Sequence, residues 1–116
     1  MSSKKHIEIL VIGSGPGGYA AAFRAADLGR NVIIVDKDPT LGGVCLNRGC
    51  IPSKTLLDSS HHYEDAMKHF EDHGIDIPGE VKINFKKMIE RKASVVSQTT
   101  KGIDCLMNKN KIDVFT

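Results

Sequence analysis

The first apolar run is short and β-branched. Residues 7–12 read Ile-Glu-Ile-Leu-Val-Ile and predict a buried parallel strand. Residues 13–18 follow as a glycine-rich turn. Residues 19–28 are rich in alanine and predict a helix. Gly29 is placed to close it in a left-handed conformation. Residues 32–35 predict a second buried strand that ends at Asp36. Strand, glycine turn, helix and strand make a βαβ unit.

Beyond that unit the pattern becomes helical. Residues 38–43 predict a loop. A second helix is expected from Cys50 or Pro52 to about residues 70–74, with Leu56, Leu57, Tyr63, Met67 and Phe70 at helical spacing. Pro78-Gly79 marks a turn in the connector that follows. Asn84 can cap a third helix. Along it Phe85, Met88, Ile89, Val96, Ile103 and Leu106 keep the same spacing, and Gly102 weakens it locally. Residues 111–116 predict a third strand. The expected class is α/β: a partial, doubly wound, Rossmann-like domain with a parallel sheet, built from a βαβ unit, two further helices and a third strand. Three strands leave such a sheet incomplete, so residues 1–116 are expected to be the N-terminal part of one dinucleotide-binding domain within a longer protein.

Composition narrows the function. The 16 Lys+Arg and 14 Asp+Glu leave a net charge of +2, and the basic residues do not cluster, so no nucleic-acid partner is expected. No run approaches the roughly 18 apolar residues of a membrane span. The polar start, Met1 to His6, leaves no room for a signal or transit peptide, which makes the cytoplasm the default compartment. There a disulfide is more often catalytic than structural. Three cysteines are an odd number. Cys105 is expected to be the unpaired one, a small buried hydrophobe in the third helix. His6, His61, His62, His69 and His73 are expected at the surface, and Lys86, Lys87, Arg91 and Lys92 on a solvated helix face.

Two motifs carry chemistry. Gly13-Ser14-Gly15-Pro16-Gly17-Gly18 matches G-x-G-x-x-G between a predicted strand and a predicted helix, the context that makes the match specific. Gly13 permits the tight turn, Gly15 the close approach of a pyrophosphate, and Gly18 the packing of helix on strand. Free N–H groups at the helix start favour an anion. Asp36 can accept hydrogen bonds from ribose hydroxyls and would repel a 2′-phosphate, so an unphosphorylated adenosine is expected. The motif does not distinguish FAD from NAD.

The second motif is Cys45-Leu-Asn-Arg-Gly-Cys50-Ile-Pro-Ser-Lys54. In a regular helix, Cα atoms at i and i+5 lie roughly 8.6 Å apart. A disulfide needs less than about 7 Å. If the two bridge, residues 45–49 are not regular helix. Gly49 allows a tight loop, and Pro52 suits the first turn of a helix. Cys50 would then sit at a helix N-terminus, where a thiolate is stabilised, with Lys54 on the same face. The spacing is wrong for paired C-x₂-C zinc ligands, and no metal site is expected. Two unrelated cysteines remain the bland alternative.

Together, the Gly13–Gly18 cradle, Gly42-Gly43 and the Cys45–Lys54 run closely resemble the class I pyridine nucleotide–disulfide oxidoreductases. Leu46, Ile51 and Ser53 are most similar to the branch that oxidises dihydrolipoamide. The glutathione and trypanothione reductases tend toward Val at the first two positions and Lys at the third. Mercuric reductases share Pro-Ser-Lys but usually carry Val at the first two. Asp36 departs slightly, since Glu is commoner there. The resemblance implies FAD in the cradle, with Gly13, Gly15, Pro16, Gly18, Asp36, Lys37, Gly43, Val44, Cys45 and Lys54 contacting it. It implies that Cys45 and Cys50 form a redox disulfide. Cys50 would be the charge-transfer thiol, Cys45 the interchange thiol, and Lys54 a neighbour of the flavin N5 edge. Electrons would pass from dihydrolipoamide through the disulfide and FAD to NAD. The NAD site, the His-Glu base and the dimer-forming domain lie outside this chain. The implied partners are a lipoyl domain of a 2-oxoacid dehydrogenase or glycine cleavage complex, and a second copy in a homodimer. Alone, the chain is expected to be an inactive nucleotide-binding module or a structural fragment.

Overall fold

The computed structural model describes residues 6–116, so the first five residues of the polar N-terminal run lie outside it. In chain order the elements are β1 (Ile9–Ile12), α1 (Pro16–Asp27), β2 (Val32–Val35), α2 (Gly43–Asn47), α3 (Cys50–Lys68), α4 (Phe85–Lys109) and β3 (Asp113–Phe115). The three strands form one parallel sheet in the order β1-β2-β3, with Ile9 opposite Val32 and Ile33 opposite Asp113. Parallel crossovers are right-handed. Both crossovers here step the same way across the sheet, so the helices collect on one face.

That face holds the core. Ile34 and Val32 of β2 pack with Ala22 of α1, Ile103 and Met107 of α4, and the buried Leu41 and Leu46. The opposite face is open toward its edges: Leu10 is 56% exposed, Ile12 83% and Phe115 54%, while Ile33 of β2 on that side is buried. Hence β1, expected to be a buried strand, is only half-buried, and on one side. Its exposure alternates residue by residue, while Val32, Ile33 and Ile34 of the central strand are all buried.

Local chemistry sets most boundaries. α1 begins at Pro16, earlier than the alanine run predicts, because proline's fixed φ suits the first helical position. Gly29 ends that segment at φ 77°. Asn84 caps α4 as expected, its side chain accepting from the Lys87 N–H at 3.0 Å. α4 runs through Gly102 without a break. α3 stops at Lys68, and a 3₁₀ turn, Glu71–His73, leads to Gly74 at φ 71°.

α3 and α4 form a long hairpin that projects from the sheet. The molecule measures 70 × 27 × 18 Å, and its radius of gyration is 20.3 Å. A compact 100-residue domain has about 13 Å. Arg91 clasps the two helices together: its guanidinium donates to the Asp58 carboxylate at 2.8 Å, the Ser59 hydroxyl at 3.2 Å and the Thr55 carbonyl at 3.3 Å. It is therefore not part of a merely solvated basic face. His62 adds a 3.7 Å contact to the same carboxylate. The apolar stripe is also thinner than its spacing predicts. Leu57, Met67 and Phe85 are mostly exposed, because a two-helix hairpin has no third layer to cover them. Near its end α4 turns Ile103 and Met107 inward, leaving Leu106 exposed. Cys105 is exposed as well, which corrects its expected burial. Among the described residues no helix is long and apolar enough to cross a membrane, and no three His, Cys, Asp or Glu residues cluster to hold a metal.

Candidate functional site

The glycine turn is fixed at both ends. The Gly13 N–H donates to the Val35 carbonyl at 2.7 Å, tying the end of β1 to the end of β2. A Cβ built on Gly18 would lie 1.8 Å from the Gly13 carbonyl oxygen, so α1 meets the turn at a distance only glycine tolerates. Nothing lies within 4 Å of where a Cβ would stand on Gly15. The backbone there is open to an incoming group, beside the amide groups of the first turn of α1, which lack intrahelical partners. Gly13, Gly15, Asp36, Lys37, Val44 and Ile12 line an open cleft of about 660 Å³. It lies at the carboxyl ends of the strands, the usual ligand position in an open α/β sheet.

Asp36 sits on the cleft wall, and its carboxylate is already anchored. One oxygen accepts from the Ser14 N–H at 2.6 Å and from the Ser14 hydroxyl; the other accepts from the Asp38 N–H at 2.9 Å. Donation from the Asp38 N–H, then from the Ser14 hydroxyl and N–H, holds its pKa down at about 2, against an ordinary 3.8. Ser14 is fully buried. The sequence marks it only as a variable position of the glycine motif, and its role as the holder of Asp36 emerges from the fold. A depressed carboxylate pKa stabilises the fold above the unfolded value and loses that contribution as pH falls through the folded one. The contribution of Asp36 is therefore complete above about pH 4 and fades toward pH 2. Asp36→Asn should flatten that part of a plot of unfolding free energy against pH, read by urea melts. An unchanged acid limb would contradict the anchoring.

The cysteine segment is bolted to the same turn. After the buried Leu41, the Gly42 N–H donates to the Ser14 carbonyl at 3.0 Å. A Cβ on Gly43 would lie 2.7 Å from the Gly15 Cα, so the two backbones touch. Gly43 opens α2, a five-residue helix where a loop was expected, anchored by the buried Leu46. The helix stops at Asn47. Arg48 and Gly49 break the direction, with Gly49 at φ −126°, ψ −102°, and α3 starts at Cys50. That break brings the Cys45 and Cys50 Cα atoms to 4.6 Å, and their sulfurs are joined in a disulfide. Pro52 falls in the first turn of α3, and Lys54 lies exposed one turn beyond Cys50. Cradle, Asp36, Lys37, Val44 and the cysteine pair are thus drawn into one region. His61, His62, His69 and His73 lie away from it, on α3 and the turn after it.

The family model described as pyridine nucleotide-disulphide oxidoreductase matches residues 7–116. The chain belongs to that family. Among its relatives, the dihydrolipoyl dehydrogenase of Bacillus subtilis is 55% identical over 92% of this chain and 22% of its own length. That of Cupriavidus necator is 49% identical over 96% of this chain and 25% of its own. The mitochondrial dihydrolipoyl dehydrogenase of Rattus norvegicus is 53% identical over 90% of this chain and 21% of its own. The chain thus spans a quarter or less of the length of these relatives.

Proposed function

We propose that residues 1–116 are the N-terminal, FAD-binding and redox-disulfide segment of a dihydrolipoamide dehydrogenase. The observation that carries this reading is the joining of the Cys45–Cys50 disulfide to the glycine cradle through one turn, Gly42 on Ser14 and Gly43 against Gly15. A cleft with that floor suits a dinucleotide whose reactive ring lies beside a disulfide. FAD, when bound, supplies a two-electron acceptor next to the sulfur pair. Gly13, Gly15, Pro16 and Gly18 would hold its pyrophosphate, and Asp36 and Lys37 its adenosine end. Gly43, Val44, Cys45 and Lys54 would line the ring.

In this reading Cys45 exchanges with substrate. A dihydrolipoamide sulfur attacks it, the Cys45–Cys50 bond breaks, and the second substrate sulfur then closes lipoamide and frees Cys45. Two electrons and two protons pass to the cysteine pair. Cys50 heads α3, where the helix start favours its thiolate. Lys54, one turn on, adds positive charge on that side. NAD takes the electrons at a site outside this chain, in a homodimeric parent that serves lipoyl domains of 2-oxoacid dehydrogenase or glycine cleavage complexes. A reducing compartment such as the cytoplasm suits a disulfide that opens and closes and an exposed free thiol at Cys105.

Calorimetric titration of the parent protein, stripped of nucleotide, tests the cofactor. FAD should bind and turn the protein yellow. Heat with NAD and none with FAD would overturn the reading.

A further inference from the structure

Asn47 takes no part in the chemistry above, yet its side chain grips the turn that joins cradle to cysteines. Its Nδ2 donates to the Leu41 carbonyl at 3.1 Å and to the Gly43 carbonyl at 2.9 Å. An asparagine amide has two N–H donors, so both are used. The two carbonyls bracket Gly42 at φ 106° and Gly43 at φ 62°, consecutive left-handed residues. This is the turn whose Gly42 N–H reaches Ser14 and whose Gly43 rests on Gly15. Asn47 is also the last residue of α2, the element that carries Cys45. A helix of five residues does not hold itself together by main-chain bonds. Beyond the disulfide, the start of α2 rests on the cradle through Gly42 and Gly43, and its body is held by the buried Leu46 and by this amide.

We propose that Asn47 is a positioning residue that keeps Cys45 within bonding reach of Cys50 when the disulfide is open. The inference rests on the reading of the pair as an exchanging dithiol. In the oxidised chain the S–S bond holds α2 whatever Asn47 does. In the reduced chain, loss of the two donated bonds lets the 41–47 segment wander. The thiols then meet less often, the disulfide forms less readily, and the pair becomes easier to reduce.

The test is a titration of the 116-residue chain in glutathione buffers of stepped ratio, with acid quench, maleimide capping and intact mass. Two glutathione thiols give two electrons and two protons to the pair; the Cys45–Cys50 bond breaks and the glutathione disulfide forms. Asn47→Asp keeps the shape and removes both donors, and Asn47→Ala removes them without adding charge. Each should move the midpoint about tenfold toward the dithiol, from the typical worth of one to two hydrogen bonds. That corresponds to about 30 mV. Asn110→Ala removes a similar side-chain bond, 2.8 Å to the Leu106 carbonyl at the far end of α4, and should leave the midpoint unchanged.

A wild-type chain that never forms the disulfide would sink the functional reading and this inference with it. A wild-type pair that titrates normally, with both Asn47 variants at the same midpoint, would sink this inference alone. Should the variants not fold, exchange of the Asn47 side-chain amide protons in the wild-type chain decides. Protection in both redox states supports the clamp, and free exchange on reduction overturns it.

Discussion

In the FAD-loaded parent protein, Cys50→Ser is expected to abolish the long-wavelength absorption that the proposed function predicts for the two-electron-reduced wild type. That band needs a thiolate in contact with the flavin ring, and the proposed role gives this place to Cys50 at the head of α3. A serine hydroxyl there is not ionised near neutral pH and supplies no such donor. Cys45→Ser should do the opposite, leaving Cys50 unpaired so that the band stands without any reductant. Either change removes the disulfide that, in the proposed function, accepts the substrate's electrons. Turnover should therefore fall by about four to six orders of magnitude, the scale seen when a covalent nucleophile is removed. Visible spectra during dithionite titration and steady-state rates read both effects. A band that persists in Cys50→Ser and vanishes in Cys45→Ser would exchange the two assignments.

Gly18→Ala should be the most damaging single methyl in the cradle. Its Cβ would stand 1.8 Å from the Gly13 carbonyl oxygen and 2.9 Å from the carbonyl carbon. Both are backbone atoms of a turn already bonded to β2 through the Gly13 N–H, so neither can step aside cheaply. α1 must lift off the end of β1. The expected loss is about 3 kcal/mol or more of stability, the upper range for forced overpacking. Nucleotide affinity should go with it, since Gly13 and Gly15 shift together. Gly17→Ala, one residue earlier, is the control. Nothing lies within 4 Å of that Cβ, and alanine in a helix is favoured over glycine by up to about 1 kcal/mol. Urea melts of the two variants should fall on opposite sides of wild type. Similar midpoints would mean that α1 does not meet the turn as described.

The parts legible in the sequence are those set by short spacing. Strand, Gly13–Gly18, helix and Asp36 follow one another within a single βαβ unit, and the cleft assembles where the motif places it. A bridge between Cys45 and Cys50 was expected to exclude regular helix through residues 45–49; residues 45–47 are helical, and the chain breaks only at Arg48 and Gly49. What remained hidden depends on partners far along the chain. Arg91 finds Asp58 across 33 residues, which no local pattern announces. Leu106 and Met107 are adjacent and both apolar, and only the docking of α4 on the sheet sends Met107 to the core and Cys105 outward. Ser14 and Asn47 are polar residues at positions where the motifs ask for nothing in particular. Ser14 holds the Asp36 carboxylate, and Asn47 holds backbone carbonyls of the turn next door.

The hairpin of α3 and α4 lies between β2 and its neighbour β3, so the crossover that closes this sheet is very long. The entropy lost in joining the ends of such a loop grows only with the logarithm of its length, about 0.6 kcal/mol for each doubling. The arm can therefore lengthen or shorten by whole turns at little thermodynamic expense, provided Ile103, Met107 and Ile112 still bring β3 home. Its tip is free to diverge while the sulfur end keeps its geometry.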